Sequence, residues 1–193
     1  MRTVTYGGAV SLDGFLAGPD GAIDWLHYSN DVQQIVATYW KSIDTILMGR
    51  KTYQVAIATE GAGKTTPSKA RKQAVKKTFS GIRTYVFSRT LKSLDDPAAE
   101  LVSSDAVAFV RALKAKPGKE ICLMGGGELA QTLIGAGLVD KVGLNIHPIL
   151  LGAGIPVFRD PGGRVRLELA ECRPLDGGCI MANYNVLNAT SVE

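Results

Sequence analysis

Histidine and cysteine are scarce in this chain, and that scarcity removes several kinds of chemistry at once. The 193 residues hold two histidines, His27 and His147, and three cysteines, Cys122, Cys172 and Cys179. No CxxC or HxxxH spacing occurs among them, so the ligand sets of a structural zinc centre are missing and no metal site is expected. An odd cysteine count with no visible secretory leader argues against a disulfide scaffold. It implies a reducing, cytoplasmic setting in which the thiols fill the core. Long apolar runs are lacking too. The longest uncharged stretch, Val142 to Phe158, is broken by Asn145, Pro148, Gly152, Gly154 and Pro156, so no membrane span is expected. Nor is there a strong excess of one charge. The net charge is +4, from 22 Lys and Arg against 18 Asp and Glu, which suits an anionic small ligand and gives little support for nucleic acid. Internal repeats and low-complexity segments are absent.

What remains is an ordinary globular composition, 46% hydrophobic and 21% charged. At this length it implies a single domain over 1–193 with one core. Thr3 to Ser11 alternates with Val4, Tyr6, Gly8 and Val10 on one face and reads as a strand. Asp13-Gly14 and Gly18-Pro19-Asp20-Gly21 are turn chemistry. Asn30 or Asp31 is placed to cap a helix running to about Trp40. Three short apolar runs follow, Asp44 to Met48, Thr84 to Phe87 and Ile121 to Met124, alternating with helical stretches at 51–58, 105–114 and after Gly127. The second of these helices is expected to be capped by Ser104. Pro67 to Phe79 carries Lys69, Arg71, Lys72, Lys76 and Lys77 and reads as a basic helix, either a solvated face or a flap over an anion. Val142, Leu144 and Ile146 alternate, as do Val165, Leu167 and Leu169, and Ile180, Ala182, Tyr184 and Val186, so the last third reads as antiparallel strands.

Strands that are apolar on both faces and separated by helices imply a largely parallel central sheet. Ligands of such sheets lie at the carboxyl ends of the strands. Here those ends read Met48-Gly49-Arg50-Lys51-Thr52, Phe87-Ser88-Arg89-Thr90 and Met124-Gly125-Gly126-Gly127-Glu128. Each offers small residues, backbone N–H groups or arginine, and two run straight into a helix start, which favours phosphate. Three such junctions on one edge point to a ligand with several phosphates, such as a dinucleotide.

The same residues carry a family resemblance. Ser11-Leu12-Asp13-Gly14, Gly49-Arg50-Lys51-Thr52, Ser88-Arg89-Thr90 and Gly125-Gly126-Gly127-Glu128 together resemble the dihydrofolate reductase superfamily. The stretch from Leu123 to Phe158, with Leu138-Val139-Asp140-Lys141 and Pro148-Ile149-Leu150-Leu151-Gly152-Ala153-Gly154, is similar to the branch with the riboflavin-biosynthesis reductase domain. The resemblance implies an α/β fold: a mixed, mostly parallel sheet flanked by helices, with an antiparallel C-terminal hairpin. It implies an NADPH-dependent reductase transferring hydride to a small pterin- or pyrimidine-like heterocycle, in the manner of 5-amino-6-(5-phosphoribosylamino)uracil reductase. By position, Gly49, Arg50, Lys51 and Thr52 match the pyrophosphate loop, and Ser88, Arg89 and Thr90 the loop around the 2′-phosphate. Gly125 and Gly126 match a Gly-Gly pair with a cis peptide beside the cofactor, followed by Gly127 and Glu128. Asp13 matches the loop over the nicotinamide. Phe15, Asp24 and Trp25 are the candidates for lining the substrate. Water, Asp13 or Asp31 is the candidate proton source. Relatives in this branch are often dimers, and the C-terminal hairpin is the candidate surface.

Two departures bear on substrate. Near Gln33, the folate-reducing members carry a carboxylate that anchors the pterin; a neutral Gln33 argues against folate, and Asp31 stands two positions earlier. After Asp13-Gly14 the riboflavin branch usually has a basic residue for a sugar phosphate, and here it is Phe15. His27 and His147 are both expected at the surface. Two rival readings remain. Ala58 to Thr65 loosely matches a phosphate-binding loop of a nucleotide hydrolase, although no strand precedes it and Pro67 follows closely. Alternatively, the chain is a dinucleotide-binding sensor without turnover.

Overall fold

The computed structural model describes residues 1–61, 81–125, 127–160 and 162–187, with the backbone alone for 56–61. The basic segment 64–77, most of the phosphate-loop-like stretch 58–65, and Gly126 with its peptide bonds lie outside the described residues.

The elements are β1 (Val4–Ser11), β2 (Phe15–Ala17), α1 (Asn30–Ser42), β3 (Ile43–Gly49), α2 (Arg50–Gly61), β4 (Arg83–Phe87), β5 (Ala99–Val102), α3 (Ala106–Ala115), β6 (Glu120–Met124), α4 (Glu128–Gly135), β7 (Lys141–His147), β8 (Ile155–Pro156), β9 (Arg166–Pro174) and β10 (Ile180–Leu187). Eight strands form one sheet in the order β5-β4-β3-β6-β1-β7-β10-β9, and β2 pairs with β8 in a separate ribbon. The first six of the eight pair parallel. The last two are antiparallel. This is the mixed, mostly parallel sheet of a dihydrofolate reductase-like α/β fold.

The period-2 geometry of the central strands explains why they read as continuous apolar runs. Successive side chains alternate faces. Ile46, Met48, Val86 and Cys122 point to the face covered by Tyr39 and Trp40 of α1 and Tyr53 of α2. Leu47, Tyr85, Ile121 and Leu123 point the other way, to Val110 and Leu113 of α3 and Ala130 and Leu133 of α4. Ile46, Leu47 and Ile121 are fully buried, each worth roughly 1.5–3 kcal/mol of transfer free energy. Polar residues at alternate positions would leave one helix pair with nothing to cover.

The local signals are shifted in places. Ser29 caps α1 rather than Asn30 or Asp31, its Oγ accepting the Val32 N–H at 3.4 Å. Asp105 rather than Ser104 caps α3, accepting from Ala108 N–H at 2.7 Å. In both cases the capping oxygen serves the N–H three residues on, the usual reach of a cap. β5 has no counterpart in the sequence reading. It is a four-residue edge strand with only Val102 buried, too short to announce a period.

Parallel pairing puts the strand ends on one edge. Gly49 lies opposite Phe87, Met48 opposite Met124, and Ser11 opposite His147. Every junction singled out above therefore opens on the same side of the sheet.

Candidate active site

At the β3–α2 junction the helix begins immediately after Gly49, with Arg50 as its first residue. The Arg50 guanidinium donates from Nη1 to Gln54 Oε1 at 3.0 Å, and Lys51 is exposed. Thr52 packs against the β6–α4 turn. A Cβ on Gly125 would stand 2.1 Å from Thr52 Oγ1, and Gly125 has φ +83°. Both conditions demand glycine, so the two junctions are held together by close backbone approach. The next helix start is open. Gly127 (φ 95°) precedes Glu128 and supplies no side-chain cap, leaving the first N–H groups of α4 available to an anion.

The β4 end is built differently. Ser88 Oγ accepts from Thr90 N–H at 3.2 Å and Leu91 N–H at 3.0 Å, which curls the loop and turns Arg89 outward. Arg89 is exposed and makes no hydrogen bond or ion pair among the described residues. Its fork is free.

Arg159 is a residue the sequence reading missed. A Cβ on Gly127 would lie 3.7 Å from Arg159 Nε, which sets a guanidinium beside the α4 start. The neighbouring Phe158 stacks edge-on against Tyr6, with centroids 5.8 Å apart, and Gln131 donates to the Asp160 carbonyl. The signal available was the charge that ends the uncharged stretch 142–158. Its place beside Gly127 required the fold.

Asp13 and Asp31 both act as clamps. Asp13 accepts from Ser11 Oγ at 2.6 Å, from Leu151 N–H at 3.1 Å and from Gly152 N–H at 2.7 Å, tying the β1–β2 turn to the loop after β7. Asp31 accepts from Ser29, from Val32 N–H at 2.9 Å and from Asp176 N–H at 2.9 Å, tying the α1 start to the β9–β10 turn. The Ser11 hydroxyl and then the loop amides hold the Asp13 carboxyl below the ordinary carboxylate range. The Ser29 hydroxyl and the Asp176 amide do the same for Asp31. Hydrogen bonds given to a carboxylate favour its charged form. The structure thus gives each carboxylate a fixed partner set.

On the substrate-side candidates, Phe15 is half-buried and opens β2 opposite Pro156. Asp24 is exposed. Trp25 meets the His147 ring edge-on, with centroids 5.3 Å apart. His147 is 2% exposed, which corrects the surface position expected for it. Its phase reflects the end of β7, where Trp25, Cys179 and the backbone of His27 close over the ring. Nδ1 accepts the His27 N–H at 3.3 Å and lies 3.5 Å from Cys179 Sγ; Nε2 faces Asn145 Nδ2 at 3.2 Å. Burial, and then the nearby His27, hold the His147 pKa below its ordinary value. Trp25 Nε1 and Asn145 Oδ1 are buried with no hydrogen-bond partner among the described residues. One is a donor and the other an acceptor, and both sit beside His147. Among the described residues no group of three His, Cys, Asp or Glu side chains is arranged to hold a metal, and no helix is long and apolar enough to cross a membrane.

Comparison with known proteins decides the family. The RibD C-terminal domain matches residues 2–181. The chain belongs to the RibD C-terminal domain family. Within it, the chain is 34% identical over 188 residues to the protein YyaP of Bacillus subtilis strain 168, covering 96% of this chain and 95% of the relative. It is 31% identical over 170 residues to YwjB of the same organism, covering 87% and 88%. Both relatives are described as uncharacterized. A solved Shewanella sp. PV-4 structure assigned to riboflavin biosynthesis superposes with TM-score 0.78 at 23% identity, covering 96% of this chain and 99% of that one. The Thermotoga maritima diaminohydroxyphosphoribosylaminopyrimidine deaminase/5-amino-6-(5-phosphoribosylamino)uracil reductase gives 0.67 at 16% identity, over 96% of this chain and 57% of that one. A pyrimidine reductase-like protein of Corynebacterium diphtheriae gives 0.63 at 16% identity, over 96% and 92%. At these identities the structures speak to the fold alone, and that fold is the RibD reductase type.

The His147 environment generates a pH prediction. An imidazole in the unfolded chain titrates near 6.5, while the folded ring titrates lower. Between the two values the unfolded state binds more protons, so stability falls as pH drops below about 6.5. Urea unfolding at pH 7.5 and 5.5 is expected to show this loss in the wild type and a smaller one in His147→Asn. An equal loss in both proteins would contradict the assignment.

Proposed function

We propose that this protein is an oxidoreductase that binds NADPH along the carboxyl edge of its sheet and reduces a small pterin- or pyrimidine-like heterocycle. The observation that carries the reading is the convergence of three anion-suited junctions on one edge: the β3–α2 turn, the loop holding Arg89 and the uncapped start of α4. The residues fit a dinucleotide. Gly125 leaves no room for a side chain beside Thr52, the α4 N–H groups have no cap, and Arg89 has no partner among the described residues. Gly49, Arg50, Lys51, Thr52, Gly125, Gly126, Gly127 and Glu128 would take the pyrophosphate side, joined by Arg159. Ser88, Arg89 and Thr90 would take the 2′-phosphate, where a guanidinium fork pairs with two oxygens.

When bound, the dinucleotide supplies the hydride, and the chain supplies position and electrostatics. Phe15, Asp24 and Trp25 would line the substrate. The Trp25 N–H and Asn145 carbonyl, which have no partner among the described residues, suit a heterocycle that presents an acceptor and a donor side by side. An apolar Phe15 at the entrance favours a substrate without a sugar phosphate. The reduction also consumes a proton. With Asp13 and Asp31 both held ionised, water delivers it, and the two carboxylates position the loops that cover the site. The single sheet that runs from residue 4 to residue 187 supports reading 1–193 as one domain. Kinetics of Arg89→Ala test the cofactor assignment. The NADPH-over-NADH preference is expected to fall roughly 10- to 100-fold, the worth of a charge-assisted contact. An unchanged preference overturns it.

The protein is further read as a homodimer. β9 is the last strand of the sheet and all nine of its residues are exposed, an unprotected edge of the kind soluble proteins usually cover. Leu167, Leu169 and Phe158 lie open on this side, and Ile134, Val142, Phe158, Val165, Leu167 and Val186 line a groove of about 210 Å³. Light scattering is expected to give a dimer for the wild type and a folded monomer for Leu167→Glu combined with Leu169→Glu. A monomeric wild type contradicts the reading.

A further inference from the structure

A second concavity lies at the opposite end of the sheet, where nothing above assigns a role. It is a cleft of about 440 Å³ at the amino ends of β1 and β7, closed by the last turns of α3 and the turn after α4. Arg2, Arg111, Lys114 and Lys141 line it, with Asp140 and Asn185. Its volume falls in the range of small-molecule sites. β1 separates it from the carboxyl edge by eight residues, or roughly 25 Å of extended chain.

Its floor is made of buried cations. The side chains of Arg2 and Lys114 are each 6% exposed. Burying a charge is costly unless it is partnered, and each of the two has an acid, Asp44 for Arg2 and Asp140 for Lys114. Arg2 donates from Nε to the Lys119 carbonyl at 2.7 Å and from Nη2 to Asp44 and Thr45. A guanidinium carries five N–H donors. The two on Nη1 have no hydrogen-bond partner among the described residues, and Nη1 is not among the side-chain atoms sealed from solvent without one. Lys114 donates to the Leu138 carbonyl at 3.0 Å and to Asp140. The acids offer no spare charge. Asp140 also accepts the Val4 N–H at 2.7 Å, and Asp44 also takes the Lys119 N–H at 2.8 Å. At the rim, Arg111 and Lys141 are exposed and form no ion pair among the described residues. With Asp44, which pairs with Arg2, counted beside Asp140, four cations answer to two acids, and both acids are already committed.

We propose that this cleft is a second ligand site, which binds a small polyanion through a phosphate or carboxylate oxyanion seated on Arg2 Nη1 and Lys114 and flanked by Arg111 and Lys141. Arg2 is preorganised by its three existing bonds, so an oxyanion would meet donors that are already fixed in place. The rim cations would draw it in and would be sensitive to salt. The inference is independent of the dinucleotide reading, because no residue is shared between the two ends.

Amide-resolved NMR of the full chain at fixed ionic strength tests it, with inorganic pyrophosphate and citrate as separate probes. Saturable shifts are expected at Thr3, Leu138, Lys141 and Asn185 with at least one probe, and the comparison tells phosphate from carboxylate chemistry. Arg111→Glu combined with Lys141→Glu changes only exposed side chains, and its spectrum reports whether it is folded. It is expected to weaken those shifts at least tenfold. Shifts confined to Gly49, Thr52, Gly125 and Glu128 would mark binding at the other edge alone and overturn the proposal. So would non-saturating shifts of equal size in the wild type and the double variant.

Discussion

Burial of the parallel strands on both faces is the constraint from which the rest of the molecule follows. Ile46 and Leu47 are consecutive residues of β3 and both are fully buried, on opposite faces of the sheet. A sheet of this kind needs helices on both sides, and parallel neighbours need a crossover each time. Each crossover leaves the sheet at its carboxyl edge. The chain has no freedom to put Gly49, Ser88 and Gly125 anywhere but on that edge, once β3, β4 and β6 are paired. Weakening either apolar face would loosen the helices that begin at those junctions.

The two ends of the sheet differ in how they treat charge. At the carboxyl edge the carboxylates are satisfied by hydroxyls and amides, the α4 start has no side-chain cap, and Arg89 has no partner among the described residues. The loops there are tied to one another: Asp13 holds the turn after β1 against residues 151 and 152, and Asp31 holds the α1 start against residue 176. At the amino edge two cations are buried with one acid each. Donors held in a fixed frame are common to the two ends.

Much of this was legible in the sequence because burial leaves a pattern. The runs at 44–48, 84–87 and 121–124 gave β3, β4 and β6, and the alternation in the last third gave β7, β9 and β10. The glycine-rich junctions stood out because turns and close approaches restrict residue choice, as Gly125 against Thr52 makes plain. What was not legible depends on tertiary contacts. β5 is four residues long and acquires its identity by pairing with β4. His147 looked like a surface residue because its cover comes from Trp25, His27 and Cys179, more than a hundred residues away in two of the three cases. Arg159 gave no motif, since its place beside Gly127 is set by the path of the chain after β8. Ser29 and Asp105 took the caps from their neighbours because the choice turns on a backbone angle, and several adjacent residues could supply the oxygen.

Calorimetric titration of the purified protein with NADPH, alongside NADH and magnesium-ATP, tests the central claim most directly. The account predicts saturable NADPH binding, weaker NADH binding and no comparable ATP binding. Absence of NADPH binding would contradict the convergence of the three junctions on a dinucleotide and leave the family fold without the site proposed for it.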